Sequence, residues 1–272
     1  MTKIPDIEWC EVPAGEFIMG ERDKQHTLNL PYSYQAAKYP ITNAQYELFV
    51  EAGGYNKRQY WTEAGWAEKL KPQRRPWHTE NDPSLLPWTA ARNYGEPFNL
   101  PNHPVVGVSW YESVAYCRWL TEVMRGCGEL GEGWLIRLPM EAEWEKAARG
   151  MDGRTYPWGE GFDPEKANGK ETEVESTSAV GIFPDGASLY GCHDMAGNVW
   201  EWCATQSGKS YRYKIENEWT EDYLEGKYNR MLRGGSWLDG SGNLRCAVRD
   251  DNLPDYNNSF FIGLRCFFVP IF

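Results

Sequence analysis

RGGSWLDGSGNLRCAVRDDNLPDYNNSFFIGLRC, Arg233 to Cys266, is fixed at its ends and loose in its middle. Gly234-Gly235, Ser236, Trp237, Arg245, Arg249, Pro254, Asp255 and Gly263-Leu264-Arg265 read as a frame. The small polar, Asn, Asp and aromatic residues between them follow neither a helical nor a strand period. A structural loop, a reactive site and a surface built to be changed are the three readings of such a run. All three need irregular backbone held in place by the rest of the chain.

Outside this stretch, helical signals are few but well formed. Thr42 stands as an N-cap with Gln45 three residues on, before a short apolar pattern that stops at Gly53-Gly54. Ser109 and Glu112 form a second capping box, and Val114, Cys117, Leu120 and Val123 or Met124 recur at helical spacing before Gly126, which predicts the longest helix. A third helix is expected over PMEAEWEKAARG, with acidic residues in its first turn, Lys146 and Arg149 in its last, and Gly150 to end it. Short strands are expected in IEWCEVP, EFIMG, PYSYQAAKYPI, YNRMLRGGSW, LRCAVR and IGLRCFFV. Long tracts, 53–103 and 151–194, carry neither period, and loops of that length usually serve a function or are tied down by a ligand or ion.

The length permits one large domain, and Gly and Pro are scattered rather than gathered into a linker, so residues 1–272 read as a single domain. A formal charge of -11 repels phosphate backbones and anionic lipid alike, which argues against nucleic acid and membrane as partners. The Arg74-Arg75 doublet reads as solvated surface. No signal or transmembrane run opens the sequence, so the chain as given reads as cytoplasmic, with surface display requiring a partner or a segment outside it. Seven cysteines without a CxxC spacing match neither a zinc ribbon nor a complete disulfide framework.

Eight motifs occur in one order: VPAGEFIMG, KYPITNAQYELFV, HPVVGVSWYESVAYCRWL, IRLPMEAEWEKAARG, YPWGE, YGCHDMAGNVWEWC, RMLRGGSW and PDYNNSFFIGLRC. Together they resemble the formylglycine-generating-enzyme-like (sulfatase-modifying-factor) domain over nearly the whole chain. The resemblance implies an α+β, C-type lectin-like fold of the formylglycine-generating-enzyme type: an antiparallel sheet core, few helices and high irregular content. The enzymes of the family hold copper with two cysteines placed between GGS and the next RC. Here that interval, Trp237 to Leu244, has no cysteine, and a soft monovalent copper ion needs thiolates. No copper is expected, and the chain reads as a non-enzyme.

A second branch of the family binds iron through three histidines contributed largely by an extra N-terminal domain, and no room for it exists before Glu8. His26, His78, His103 and His193 show no HxxxH spacing and read as loop or turn residues. The resemblance also implies calcium, in a structural role, at two places. One set is Gly197, Asn198, Val199 and Glu201; the other is Asn168, Gly169, Glu171 and Val174. Against the first stands the plainer reading that Glu201 pairs with an arginine and the neighbouring Trp pair is core. By the same resemblance Cys117 and Cys266 are neighbours, as thiols or a disulfide, and the usual partner of Cys246 falls on Ala148. Met140 replaces a capping Thr and removes an acceptor.

Some members of this family resemble the variable proteins of diversity-generating retroelements, in which template AAY codons become NNY. Such codons never encode Glu, Lys, Gln, Met or Trp. None of the 24 residues from Leu238 to Phe261 is one of these types, although the five make up 66 of the 272 residues. By ordinary mixing that absence arises on the order of once in a thousand windows. A variable region at about 237–266 is therefore expected. Its ligand-binding residues are Leu238, Asp239, Gly240, Ser241, Asn243, Val248, Asp250, Asp251, Asn252, Leu253, Tyr256, Asn257, Asn258, Ser259, Phe260 and Phe261. Rigid aromatics supply contact area there, and small polar residues supply adaptable hydrogen bonds. The expected function is a non-catalytic binding protein for an unknown protein, other macromolecule or small ligand. The alternatives are a divergent oxidoreductase or protein-modifying enzyme of the same family, and a module of a longer signalling protein.

Overall fold

Two capping boxes start the helices where the sequence places them. Thr42 Oγ1 accepts from the Gln45 amide and Gln45 Oε1 from the Thr42 amide at the head of α1 (Asn43–Glu51). The Ser109 hydroxyl and the Glu112 carboxylate exchange the same two bonds before the long helix Trp110–Gly126. The computed structural model describes residues 3–71, 88–208, 218, 221–225 and 228–271. His78 and Arg74-Arg75 lie outside the described residues.

Strands β1 (Trp9–Val12), β4 (Tyr34–Ala37), β10 (Phe267–Pro270) and β5 (Trp134–Arg137) form one antiparallel sheet in that order, so the first and last strands flank β4. Strands β2 (Gly15–Met19) and β3 (His26–Leu30) make a hairpin. The third sheet runs β8 (Arg249–Asn252), β7 (Arg230–Arg233), β6 (Trp200–Gln206), β9 (Ile262–Gly263). It is antiparallel except for the short β6–β9 pair, which is parallel. The α-helices among the described residues are α1, α2 (Glu63–Lys69), α3 (Trp110–Gly126), α4 (Glu141–Arg149) and α5 (Glu221–Glu225). Tract 151–194 carries only isolated turns of 3-10 helix, as its lack of period predicts. The architecture is α+β with few helices and much irregular backbone. Among the described residues no helix is long and apolar enough to cross a membrane.

Several expectations need correction. Tract 53–103 contains α2, whose Thr62 hydroxyl caps Gly65. LRCAVR is not a strand: residues 244–248 turn, and β8 begins at Arg249 and runs through Asp250 and Asp251. Strand β6 was hidden because all seven of its residues are buried, which removes the alternation of a half-buried strand. All nine residues of helix α4 are buried, charges included.

The burial of α4 determines how the C-terminal segment is held. Arg233 donates to Glu141 Oε1 at 3.0 Å, to Glu145 Oε2 at 2.5 Å and to the Cys246 carbonyl at 2.6 Å. Arg249 grips both oxygens of Glu141. Arg149 donates to Glu145, and Arg137 forks onto Glu143. Arg233, Glu141 and Glu145 are fully buried, so each charge is offset within a closed network rather than by water.

Candidate binding face

Three arginines of the segment are anchored inward, and several of the residues between them are held outward. Arg233 and Arg249 bind the acids of α4, and Arg265 binds Glu201. Gly107 donates to the Ser259 carbonyl, Trp200 to that of Phe261 and Trp237 to that of Asn198, which ties the irregular backbone to the core at both ends. Leu238, Asn243, Asp250, Leu253, Asn258 and Phe260 then face solvent. Leu253 is 52% and Leu238 44% exposed, values that large apolar side chains reach only at the surface.

Several of these side chains converge. Phe260 packs on Trp237 with ring centroids 5.8 Å apart and edge-on to Phe261 at 5.6 Å. Two aromatics from a different loop complete the cluster: Phe98 lies 5.6 Å from Phe260 and 5.9 Å from Trp237, and Tyr94 lies 5.7 Å from Phe260. The Tyr94 hydroxyl also donates to Asn258 Oδ1 at 3.3 Å and to the Asn257 carbonyl at 3.4 Å. Sequence reasoning missed Tyr94 and Phe98, whose only signal was aromatic residues in a loop without period. Asp239 and Asp251 lie close enough to Asp250 to help raise its carboxyl above the usual range, after burial, the larger cause.

Other expected residues do different work. Ser259 is buried at 1% exposure and is no part of the exposed set; its hydroxyl accepts from the Phe261 amide. Asp239 is an internal brace: its carboxylate accepts from the Ser236 amide and hydroxyl, from Trp200 Nε1 at 2.9 Å and from the Asn243 amide group. Val248, Tyr256 and Phe261 are half-buried against the core. Gly240 and Ser241 lie beside Glu171, which accepts from the Ser241 amide at 2.8 Å. Asp250, Asp251 and Asn252 sit on β8, an edge strand, and Asp251 and Leu253 place their amides on neighbouring side-chain oxygens. The Asn257 side chain reaches the buried Glu112, whose carboxyl burial pushes up to about 7.

In the first calcium set the Glu201 carboxylate is engaged within the protein. Glu201 Oε1 accepts from Arg265 Nη2 at 2.7 Å and Nε at 3.1 Å; Oε2 accepts from Arg265 Nε at 3.0 Å and Trp144 Nε1 at 2.6 Å. Three N–H donors thus serve a carboxylate that has about four acceptor sites, with Arg265 Nε shared between the two oxygens. Trp200 and Trp202 are core. Gly197 and Asn198 shape the segment: both have positive φ, and the Asn198 amide donates to the Asn168 carbonyl at 2.7 Å. Val199 is fully buried.

The second set is split. Asn168 is buried, and its Oδ1 has no hydrogen-bond partner in the protein, as is true of the Ser178 hydroxyl. Gly169 is buried, Glu171 is turned toward Ser241, and Val174 is exposed. Among the described residues no cluster of three or more His, Cys, Asp and Glu side chains could hold a metal ion.

The cysteines are poor nucleophiles where they are deepest. Burial raises Cys246 to about 12 and holds Cys203 and Cys266 well above the ordinary thiol value. Cys117 and Cys266 are neighbours as free thiols, with sulfurs 3.7 Å apart.

The profile of the "Sulfatase-modifying factor enzyme 1-like domain" family matches residues 5–268. "Serine/threonine-protein kinase Pkn1" of Chlamydia trachomatis is 34% identical over 270 residues, 95% of this chain and 38% of that protein. The chain thus spans well under half of that relative. "Inactive C-alpha-formylglycine-generating enzyme 2" of Bos taurus is 32% identical over 96% of this chain and 87% of its own length. Among solved structures, "Treponema denticola variable protein 1" has the same fold, with a TM-score of 0.63 at 18% identity over 98% of this chain and 96% of that one.

Proposed function

Because the chain belongs to the sulfatase-modifying factor enzyme 1-like domain family and has no cysteine from Trp237 to Leu244, we propose that it is a non-catalytic binding protein. Its ligand is a protein or other macromolecule, or a small molecule, held on residues 238–261. One observation carries this reading. Side chains of two separated loops meet in the cluster of Tyr94, Phe98, Trp237, Phe260 and Phe261, of which Phe260 is exposed and Trp237 buried, on backbone fixed by buried arginines. Such a surface exchanges its outward side chains at little folding cost, since exposed substitutions usually change stability by within about 0.5 kcal/mol. Rigid aromatics beside Asn and Asp supply the contact chemistry of a binding face.

A display library randomised at Leu238, Asn243, Asp250, Leu253, Asn258 and Phe260 tests the proposal. Most members should fold, and selection should yield binders to unrelated targets. Collapse of folding across the library sinks it. Sequencing the DNA beside the gene tests the retroelement origin, which requires a template copy differing only at adenines.

A second reading has its own support. The identity to a kinase-titled protein of which this chain covers 38% favours a sensing module within a longer signalling chain. Calcium remains proposed at Asn168, Gly169, Glu171 and Val174, on the strength of the buried Asn168 oxygen with no protein donor. A melting temperature raised by calcium and returned by chelator tests it.

A further inference from the structure

Cys10 and Cys192 stand far apart in the chain and side by side in the fold. Cys10 lies on β1, the outer strand of its sheet, opposite Ala36 of β4. Cys192 closes a turn in which its amide donates to the Ser188 hydroxyl at 3.2 Å and its carbonyl accepts from the Ser188 amide at 2.8 Å. Backbone bonds lay this turn beside the start of β1: the His193 amide donates to the Lys38 carbonyl, and the Lys38 amide to the Glu8 carbonyl, each at 2.8 Å. A β-carbon on Gly191 would lie 3.6 Å from the Cys10 sulfur, so the backbone that carries Cys192 passes directly by that sulfur. Both cysteines pack on the same apolar cluster.

The two thiols differ in access and in acidity. Cys192 is fully buried and Cys10 half-buried. The hydrogen bond with Cys192 lowers the Cys10 thiol to about 7; burial opposes the change, and the charges of Arg265 and Lys38 assist it. The Cys192 thiol is held well above the ordinary value, by its bond to Cys10 first and by burial second. Cys192 is thus the S–H donor and Cys10 the thiolate, an attacking sulfur within reach of solvent beside a resolving sulfur that is not. Cys117 and Cys266 are also neighbours, but both are buried, so neither offers a reagent the first sulfur.

We infer that Cys10 and Cys192 form a redox-sensitive dithiol, closed to a disulfide by a low-molecular-weight disulfide such as oxidised glutathione. The Cys10 thiolate attacks one sulfur of the reagent, forms a mixed disulfide and expels a first thiolate, which takes up the proton that Cys10 had given to solvent. The Cys192 sulfur then attacks Cys10 Sγ and expels the second thiolate, which receives the Cys192 proton. Two protein thiols are oxidised, and one reagent disulfide is reduced to two thiols. The crosslink joins elements that Arg265 already ties through the carbonyls of Ala37, Lys38 and His193. It does not depend on the proposed binding role.

Incubation of the folded protein in glutathione buffers of stepped redox ratio, followed by acid quench, alkylation and peptide mapping by mass spectrometry, tests the assignment. A Cys10–Cys192 crosslink should appear as the buffer becomes oxidising and vanish with dithiothreitol. Cys192→Ala should stop at glutathione on Cys10. It should also slow iodoacetamide labelling of Cys10 at pH 7 about tenfold, by returning that thiol toward its ordinary range. Cys10→Ser, a conservative change at a half-buried position, should leave Cys192 unmodified. Absence of the crosslink from the folded, unaltered protein overturns the inference, whether Cys10 stays free or keeps glutathione. So does a crosslink confined to Cys117 and Cys266, or one that forms in urea and not in the folded chain. Oxidation of Cys192 at an unchanged rate in Cys10→Ser overturns it as well.

Discussion

Replacing Glu201 with Gln keeps the shape of the side chain and removes its charge. Arg265 and Glu201 are both fully buried, and Arg265 also donates to the carbonyls of Ala37, Lys38 and His193. In the variant those carbonyls and one amide oxygen face an uncompensated guanidinium, and Trp144 Nε1 keeps only a neutral acceptor. Breaking a buried pair from one side costs about 3–5 kcal/mol. For a chain of this size 1 kcal/mol moves the melting temperature by roughly 2–4 °C, so a fall of about 10 °C is expected. That is a large part of a typical stability of about 5–15 kcal/mol. Differential scanning calorimetry of both proteins, each with calcium and with chelator, measures it. The ion-pair account requires the same fall in both buffers. If chelator alone reproduces the loss in the parent protein and adds nothing in Glu201→Gln, then Glu201 serves a cation and the reasoning fails.

The remaining predictions concern the core and the face. Burial raises Glu112 and Glu218 to about 7 and Asp194 to about 6. Such carboxyls ionise in the unfolded chain first, so stability should fall as pH rises from about 4.5 to 7; Glu112→Gln should flatten that slope in urea melts. Gly197→Ala places a Cβ 2.2 Å from the Asn168 carbonyl at φ +84° and should cost about 2 kcal/mol or more by chemical denaturation. Leu253→Asp, on the exposed face, should change stability by within about 0.5 kcal/mol, whereas Ser259→Tyr, at a buried position, should lower the melting temperature sharply.

The local signals that were legible are those a few residues can satisfy by themselves. Thr42 with Gln45 and Ser109 with Glu112 start helices wherever apolar spacing follows, because each box closes within one turn. What stayed hidden depends on distant neighbours. Glu141 looks like a dipole partner at the head of a helix, yet it and Glu145 are counter-ions for Arg233 and Arg249, about ninety and more residues away. Strand β6 reads as a motif and not as a strand because strands on both sides and packing on both faces bury all of it. Composition alone separated residues 238–261 from the rest of the chain. It could not show that Asp239 braces Trp200 and Ser236, or that Ser259 points inward.

The same long-range pairing explains how an irregular segment can be both fixed and open to change. Each of Arg233, Arg249 and Arg265 fastens one point of the segment to a carboxylate in the core, and a guanidinium fork fixes direction as well as distance. Substitution of an outward side chain such as Leu238 or Asn258 alters no member of that network. Substitution of an anchor leaves a buried charge unpaired and loosens every residue it positions. Tolerance along the segment should therefore divide by contact with the arginine and glutamate pairs and not by distance along the sequence. Asn257 is the instructive case, because it lies between half-buried Tyr256 and exposed Asn258 and its side chain is near Glu112. That amide is a lesser influence lowering the Glu112 carboxyl against burial, so Asn257→Ala should raise the Glu112 pKa slightly further and extend the decline in stability to higher pH. Adjacent Asn258→Ala should leave the profile unchanged, and a shift of equal size in both variants would refute the division.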